Sequence, residues 1–585
     1  MLKIFKYLKK KEWIMIAFSI VFICCQVYLD LRLPDYMSEI TLLVQTEGTK
    51  ISQILVAGSW MLGCALGSML ASIIVGYFAA RTASSFSQRL RELVYNKTLD
   101  FSLEEINKFS IASLITRSTN DITQIQQVVA MGLQAMIKAP ILAVWAIIKI
   151  ANKNFEWTMI TAVAVVFLLC IVMVTITLAL PKTRTIQKLT DNLNSVTREN
   201  LTGLRVIRAY NAEDYQEEKF EKANKDLMST NLFVNRVMAI MSPGMSLISS
   251  GLTLGIYWIG SYLINDAGMI DKLPLFSDMV VFSSYAMQVI MAFMMLTMIF
   301  IILPRATVSA KRILAVLDTK TKIIDGSINH PTTEIKAKIE FKNVSFKYPD
   351  AKKYVLKDIS FEANKGDMIA IIGSTGSGKS TISNLIPRFY DVSEGEILID
   401  DINIKDYSLD ALREKIGYVS QSAVMFTGNV TSNVALGQEK IDQLQLETAI
   451  EIAQGKDFVE ALDDQYNAKI SQGGTNISGG QKQRLSIARA IYKDPEIFVF
   501  DDSFSALDYQ TDANLRKALN QKMDDKISII IAQRIGTILH ADQIIVLDKG
   551  EIVGKGTHKE LLENCKTYQE IAYSQLSKEE LSNES

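Results

Sequence analysis

Six apolar runs, each about as long as a bilayer is thick, confine the first half of this 585-residue chain to helices. Inside lipid no water satisfies backbone N–H and C=O groups, and a span needs about 20 mostly apolar residues. The runs are Trp13–Leu33, Ile54–Ala80, Leu133–Ile150, Trp157–Leu180, Met238–Ile264 and Asp278–Leu303. Connections between them alternate short and long. Arg81–Met131 and Lys182–Val237 are long and rich in Lys and Arg, whereas the short loops hold only Lys50, Lys153 and Lys272. Positive charge collects on the cytoplasmic side, which puts both termini inside. Basic residues and then Trp13 onward, with no small-residue cleavage site, read as a retained first span rather than a signal peptide.

The long connections do not read as loops. Phe86, Leu90, Leu93, Val94 and Phe101 recur at helical spacing and neither connection contains Pro, so the membrane helices continue into the cytosol. Each pair must turn around in a short segment, for which Lys108–Arg117 and Leu201–Tyr210 are the candidates. Two ordinary amphipathic hairpins would read the same way. Gly63 with Gly67, and Gly251 with Gly255, put small residues on one helix face, where helices can approach closely. Pro140 and Pro243 can kink their helices. Met287, Met291, Met294, Met295 and Met298 beside Gln288 offer either a deformable ligand surface or ordinary lipid-facing or packed side chains. Asp30 and Arg32 lie near the outer end of the first span, where ionisable groups are costly, and their spacing does not pair them. Lys138 is expected to snorkel to the inner interface.

Past about residue 338 the apolar runs shorten and alternate with charged turns, as in a soluble domain, and the chain is too long for one core. With 62 Lys and Arg against 63 Asp and Glu, no basic excess exists for a nucleic-acid partner. Cys24, Cys25, Cys64, Cys170 and Cys565 have no metal-binding spacing and imply no disulfide framework.

The strand-like run Met368–Ile372 leads into Gly373-Ser374-Thr375-Gly376-Ser377-Gly378-Lys379-Ser380-Thr381. This fits the phosphate-binding loop: glycines let backbone N–H groups wrap phosphates, Lys379 reaches the β/γ oxygens, and Ser380 ligates Mg²⁺. A second apolar run, Ile497–Phe500, delivers Asp501 and Asp502 as a buried strand delivers carboxylates to Mg²⁺–nucleotide. Asp501 is placed to hold the metal through water. Tyr348, about 25 residues before Gly373, could stack on adenine or simply end a strand.

Further segments carry a family resemblance. Asn476-Ile477-Ser478-Gly479-Gly480-Gln481-Lys482-Gln483-Arg484 resembles the signature of ATP-binding cassette (ABC) proteins. Tyr418-Val419-Ser420-Gln421 resembles their glutamine loop, and Ser505-Ala506-Leu507-Asp508 their D-loop. These motifs stand in the family's order across Ile339–Tyr573, and with six preceding spans the whole chain resembles an exporter half-transporter. The fold expected is an all-α six-helix transmembrane domain followed by an α/β cassette. Its bounds are 1–317, a linker at 318–338, the cassette at 339–575 and a polar tail at 576–585. Phe109–Arg117 and Leu201–Tyr210 match the two coupling helices.

The resemblance implies that two cassettes pair head to tail, each ATP lying between one chain's phosphate loop and the other's Ser478–Gln481 signature. Gln421 is implied to reach Mg²⁺ and the reacting groups. Two positions depart from the family pattern. Asp502 stands where a Glu usually polarises the attacking water, and Gln533 stands where a His usually contacts the γ-phosphate. Ser471-Gln472-Gly473-Gly474-Thr475 also differs from the Glu-Arg-Gly lead-in usual in homodimers. This looks like the degenerate half of bacterial heterodimeric multidrug exporters, in a cell membrane, moving amphipathic compounds. A lipid, peptide or siderophore transporter, a homodimer, and an ATP-gated channel or regulator remain compatible. The spans exclude a soluble cassette acting on nucleic acid.

Overall fold

The computed structural model describes residues 2–46, 48–151, 154–329, 337–349 and 351–576. Lys153, most of the C-terminal half of the expected linker, nearly all of the polar tail and the side chain of Met298 lie outside the described residues. The chain forms two compact units. One comprises the chain up to Leu99 with Ile111–Thr319; the other comprises Asp100–Ser110 with the chain from Lys320 onward.

The first unit is helical throughout: α1 (Lys10–Gln45), α2 (Ile51–Leu99), α4 (Ile111–Ser118), α5 (Asn120–Gly132), α6 (Lys138–Ala151), α7 (Phe155–Thr202), α8 (Leu204–Ala209), α9 (Glu213–Ala239), α10 (Met241–Asp266) and α11 (Lys272–Leu317). The intervening α3 (Leu103–Phe109) belongs to the second unit. Six continuous helical stretches among the described residues are long and apolar enough to cross a membrane. At 49 residues α2 is about 70 Å long, more than twice the hydrocarbon thickness, so it continues well past the bilayer. The two marked prolines sit where the helical ladder changes. Pro140 has no N–H for the carbonyl of Met136, and a π-turn occupies Leu133–Ile137. Pro243 lies in the first turn of α10, after the break at Ile240.

The core of this unit gathers Ile23, Val27, Trp157, Phe282 and Tyr285. In each glycine pair only the second member makes a close contact. A Cβ on Gly67 would lie 3.0 Å from Leu29 and one on Gly255 3.3 Å from Ile160, whereas Gly63 and Gly251 face no atom within 4 Å. Met287 and Met291 are exposed.

Polar bonds tie the C-terminal half of α1 to α2, α6 and α11. Lys138 does not snorkel: its ammonium pairs with Asp30 at 3.2 Å, and Ser68 donates to the same carboxylate. An internal partner for both charges costs less than leaving each beside lipid. Gln288 donates to the Asp30 carbonyl at 3.3 Å. Asp35 receives Lys149 at 2.7 Å and the Tyr285 hydroxyl, which also bonds the Leu31 carbonyl at 3.0 Å. Arg32 bonds Tyr28 at 3.0 Å and not Asp30.

The second unit is α/β. Its strands are β1 (Ile339–Phe346), β2 (Leu356–Ala363), β3 (Met368–Gly373), β4 (Glu394–Ile399), β5 (Ile402–Asn403), β6 (Ile416–Val419), β7 (Gly428–Asn429), β8 (Lys469–Ile470), β9 (Ile497–Asp501), β10 (Ile527–Ile531), β11 (Gln543–Asp548) and β12 (Glu551–Gly556). An antiparallel sheet runs β2-β1-β4-β5, and the main sheet runs β12-β11-β3-β10-β9-β6. Strands β11, β3, β10, β9 and β6 are mutually parallel, and their Ile- and Val-rich residues are buried on both faces.

The first of the two long-connection turnarounds begins earlier than its sequence suggests. Ser102 and Glu105 close a capping box that starts α3, and Ser110 ends it at φ 61°, so Leu103–Phe109 rather than Phe109–Arg117 is the segment grouped with the cassette. Glu105 also accepts the Lys322 backbone N–H at 3.2 Å, and Asn107 reaches the Tyr390 hydroxyl at 3.4 Å. The second turnaround, α8, lies inside Leu201–Tyr210 and buries none of its residues.

Candidate functional site

Parallel strands bring three segments to one sheet edge. Ile531 of β10 is in register with Ile371 of β3 on one side and with Asp501 of β9 on the other. Chain leaving β3 forms the Gly373–Lys379 loop, chain leaving β9 carries Asp502, and chain leaving β10 reaches Gln533 two residues later. A cavity of about 320 Å³ opens there, lined by Gly376, Lys379, Ser380, Gln421, Asp502 and Gln533 among others.

The loop's glycines are required by space and conformation. A Cβ on Gly373 would stand 2.2 Å from the Leu547 carbonyl. Gly378 adopts φ 103°, a left-handed conformation that costs other residues free energy, and hands the chain to the helix Lys379–Leu385. Lys379 donates to the loop's own carbonyls, Gly373 at 2.7 Å and Ser374 at 2.8 Å. Burial pulls its ammonium below the ordinary lysine range, against the attraction of Asp502 and Asp501. Ser374, Thr375 and Ser377 complete the loop, with Ser377 buried.

Asp501 is buried and accepts from Ser380 at 3.1 Å and from Ser383 at 2.8 Å. Ser383, absent from the residues marked by motif, is three positions beyond Ser380 and so shares its helix face; that spacing was the available signal. With Gln421 these residues offer oxygen donors suited to a hard divalent cation. Among the described residues no group of three His, Cys, Asp or Glu could hold a metal alone. A cation here would need nucleotide oxygens as well.

Asp502 holds a distinct arrangement. Its backbone is left-handed at φ 48°, and its N–H donates to the Ile531 carbonyl at 2.9 Å. One carboxylate oxygen, Oδ2, receives both Gln533 Nε2 at 2.8 Å and Gln421 Nε2 at 3.0 Å. Burial raises its carboxyl above the ordinary aspartate range, and the Gln421 hydrogen bond opposes that shift. The two glutamines thus clasp the acid at a single oxygen. Gln421 is set by β6, and Ser503 ties the two loops by donating to the Val419 carbonyl at 3.0 Å.

Tyr348 stands beside this cavity rather than in its lining. Its hydroxyl is 3.1 Å from Thr381 Oγ1, and its ring meets Phe346 and Tyr390 edge to face. The signature lies elsewhere. Ser478 caps the helix Gly479–Lys493 by a reciprocal bond with Gln481, whose side chain accepts the Ser478 N–H at 2.8 Å. Ser478 and Gly479 are exposed, and none of Ser478, Gly479, Gly480 and Gln481 lines the cavity. One chain therefore does not join its own signature to its own phosphate loop.

Comparison with known proteins agrees with this architecture. Residues 13–293 match the family model of the ABC transporter transmembrane region, and residues 356–505 match that of the ABC transporter cassette. An uncharacterised ABC transporter ATP-binding protein of Mycobacterium tuberculosis (strain H37Rv) is 38% identical over 522 residues, which is 88% of each chain. The ATP-dependent lipid A-core flippase of Pseudomonas aeruginosa is 30% identical, over 84% of this chain and 80% of the flippase. Among solved structures, a bacterial Atm1-family ABC exporter with ATP bound superposes with TM-score 0.78 at 24% identity, covering 96% of this chain and 98% of that one. A cassette of this kind binds ATP and couples its hydrolysis to transport, and the exporter fold works as a dimer in a membrane. The chain belongs to the ABC exporter family, as a half-transporter in which six membrane helices are fused to one ATP-binding cassette.

Proposed function

We propose that this chain is the degenerate-site subunit of a heterodimeric exporter of amphipathic compounds, resident in the cell membrane with both termini cytoplasmic. The observation that carries the reading is the double hydrogen bond from Gln421 and Gln533 to Asp502 Oδ2. Two amide N–H groups on one oxygen fix the orientation of the acid and stabilise its charged form, which weakens it as a proton acceptor, and one methylene less than Glu leaves it short of the attacking water. Gln533 cannot carry a positive charge. The site is suited to hold ATP through Gly373–Thr381, with Tyr348 against the base. Ser380, Gln421 and Asp501 would hold Mg²⁺, which neutralises charge on the β/γ oxygens when bound.

A second chain completes the machine. It supplies the signature for this site, and this chain's Ser478–Gln481, with Ser478 and Gly479 exposed, completes the partner's. The partner carries Glu and His at the two departed positions and performs most of the hydrolysis. Exposed α8, with Val206 at 62% accessibility, is an apolar surface for that partner's cassette. Met287 and Met291, exposed and deformable, favour varied amphipathic substrates. The lipid A-core flippase relative favours a second reading, in which the amphipath is a lipid.

The test is steady-state ATPase of the co-purified pair with and without drug or lipid. Stimulation by drug, with loss of activity when the partner's Glu becomes Gln, is expected. Stimulation by lipid alone selects the second reading, and brisk hydrolysis by this chain alone rejects the heterodimer.

A further inference from the structure

We propose that the N-terminal segment of this chain is a docking site for anionic phospholipid. Such a site requires only that this end of α1 lies at a membrane surface, and is independent of the ATP site and of the identity of any partner.

The first eleven residues contain Lys3, Lys6, Lys9, Lys10 and Lys11, all exposed. They are fixed in place rather than trailing. Leu2–Tyr7 forms a short 3₁₀ turn in which Ile4 is fully buried and Phe5 stacks on Phe86 of α2 at 6.2 Å between ring centres. Three residues per turn put Lys3 and Lys6 on one side. The nearest acid in sequence is already engaged. Glu12 is buried, accepting the Lys9 backbone N–H at 2.6 Å and the Ser85 hydroxyl at 2.7 Å. Lys6 is within 3.7 Å of Asp318, and among the described residues no ion pair involves Lys3, Lys9, Lys10 or Lys11.

The level of these charges relative to lipid follows from the side chains above them. Trp13 is 54% exposed and begins an exposed apolar stripe with Ile14, Phe18 and Val21. Tryptophan favours the headgroup boundary. Contacts between Glu12 and Ser85, and between Phe18 and Phe78, set an antiparallel register that brings Arg81 of α2 opposite residues 15 and 16, within about one turn of Trp13; Arg81 bonds the exposed Tyr77 hydroxyl. Unpaired ammonium groups, an indole and a guanidinium therefore lie within about two helical turns of one another, where the exposed apolar stripe begins. That combination matches a lipid with a phosphate monoanion and no compensating cation, such as phosphatidylglycerol. A zwitterionic headgroup would bring its own ammonium against the lysines. Near an anionic surface each lysine contributes about fivefold in occupancy.

The experiment uses the full chain in nanodiscs of phosphatidylcholine containing equal fractions of phosphatidylglycerol or phosphatidylcholine brominated near the headgroup. Bromine quenches tryptophan on contact, and subtracting the Trp13→Phe variant isolates Trp13 from the other four tryptophans. Brominated phosphatidylglycerol should quench Trp13 at least twofold more than brominated phosphatidylcholine at low salt. The preference should vanish in about 0.5 M salt, where the Debye length falls below about 5 Å, and in Lys9→Gln/Lys10→Gln/Lys11→Gln. The salt arm needs no lysine variant, so a folding defect cannot mask the answer. Equal quenching by both lipids, or a preference that survives salt, overturns the proposal.

Discussion

Freeing and lengthening the acid at position 502 is the most direct test of how the ATP site works. In Asp502→Glu the carboxylate moves outward by about 1.5 Å, one carbon–carbon bond. Displacements of about 1 Å can cost about 100-fold in rate, so length alone could recover that much. The clasp opposes this. Two hydrogen bonds to a charged oxygen, at 2.8 and 3.0 Å, contribute about 1.5–3 kcal/mol each. Even at the low end, both together favour the clasped position of the acid by a factor of about 100. The single variant should therefore raise turnover by less than about threefold. Asp502→Glu with Gln533→His removes one amide and restores a group that can charge, and a gain of about 10-fold or more is expected. The assay is phosphate release by the co-purified pair whose partner carries Glu→Gln, so that only this site reports. A full gain from Asp502→Glu alone would refute the clasp. If this chain alone hydrolyses ATP briskly and Asp502→Asn stops it, the site is competent and the asymmetric reading fails.

Three other outcomes are expected. A Cβ on Gly479 meets no atom within 4 Å, so Gly479→Asp should leave the melting temperature of the chain unchanged while abolishing nearly all ATPase of the pair, because the new charge faces the partner's phosphates. Loss of stability together with activity would undercut that explanation. In the membrane unit, Asp35→Asn should lower the melting temperature, and a double-mutant cycle with Lys149→Met should give a coupling of about 1 kcal/mol or more across the 2.7 Å contact; additivity would show that the pair is inert. Burial acts to raise Glu105, but hydrogen bonds from the side chain and N–H of Ser102 and from the Lys322 N–H outweigh it and leave the carboxyl below its ordinary range. Its contribution is thus fully present above the unfolded value, about 4.3, and is lost as pH falls through the lower folded value. Amide exchange across Leu103–Phe109 should speed up in that acid window, and Glu105→Gln should remove the pH dependence.

Spans and nucleotide motifs were legible in the sequence because their causes are local. A run of apolar side chains is expelled from water whatever surrounds it, and a glycine needed at φ 103°, as at Gly378, must be glycine in any setting. The order of the motifs then carried the family. What stayed hidden depends on groups far apart in the chain. Lys138 looked like an interfacial lysine until α1 placed Asp30 beside it, 3.2 Å away. The start of α3 turned on whether Ser102 or a later residue would cap, which the reciprocal bond with Glu105 decides. Asp502 and Gln533 were recognisable singly as departures from a pattern, and Gln421 as the loop glutamine of that pattern. That they meet at one oxygen follows from the order β3-β10-β9-β6, which sets the ends of three strands side by side. Composition and backbone preference determined which segments span the membrane and which bind phosphate. Hydrogen bonds at a low dielectric, between residues 31 and 81 positions apart, decided how the acid of the site is held.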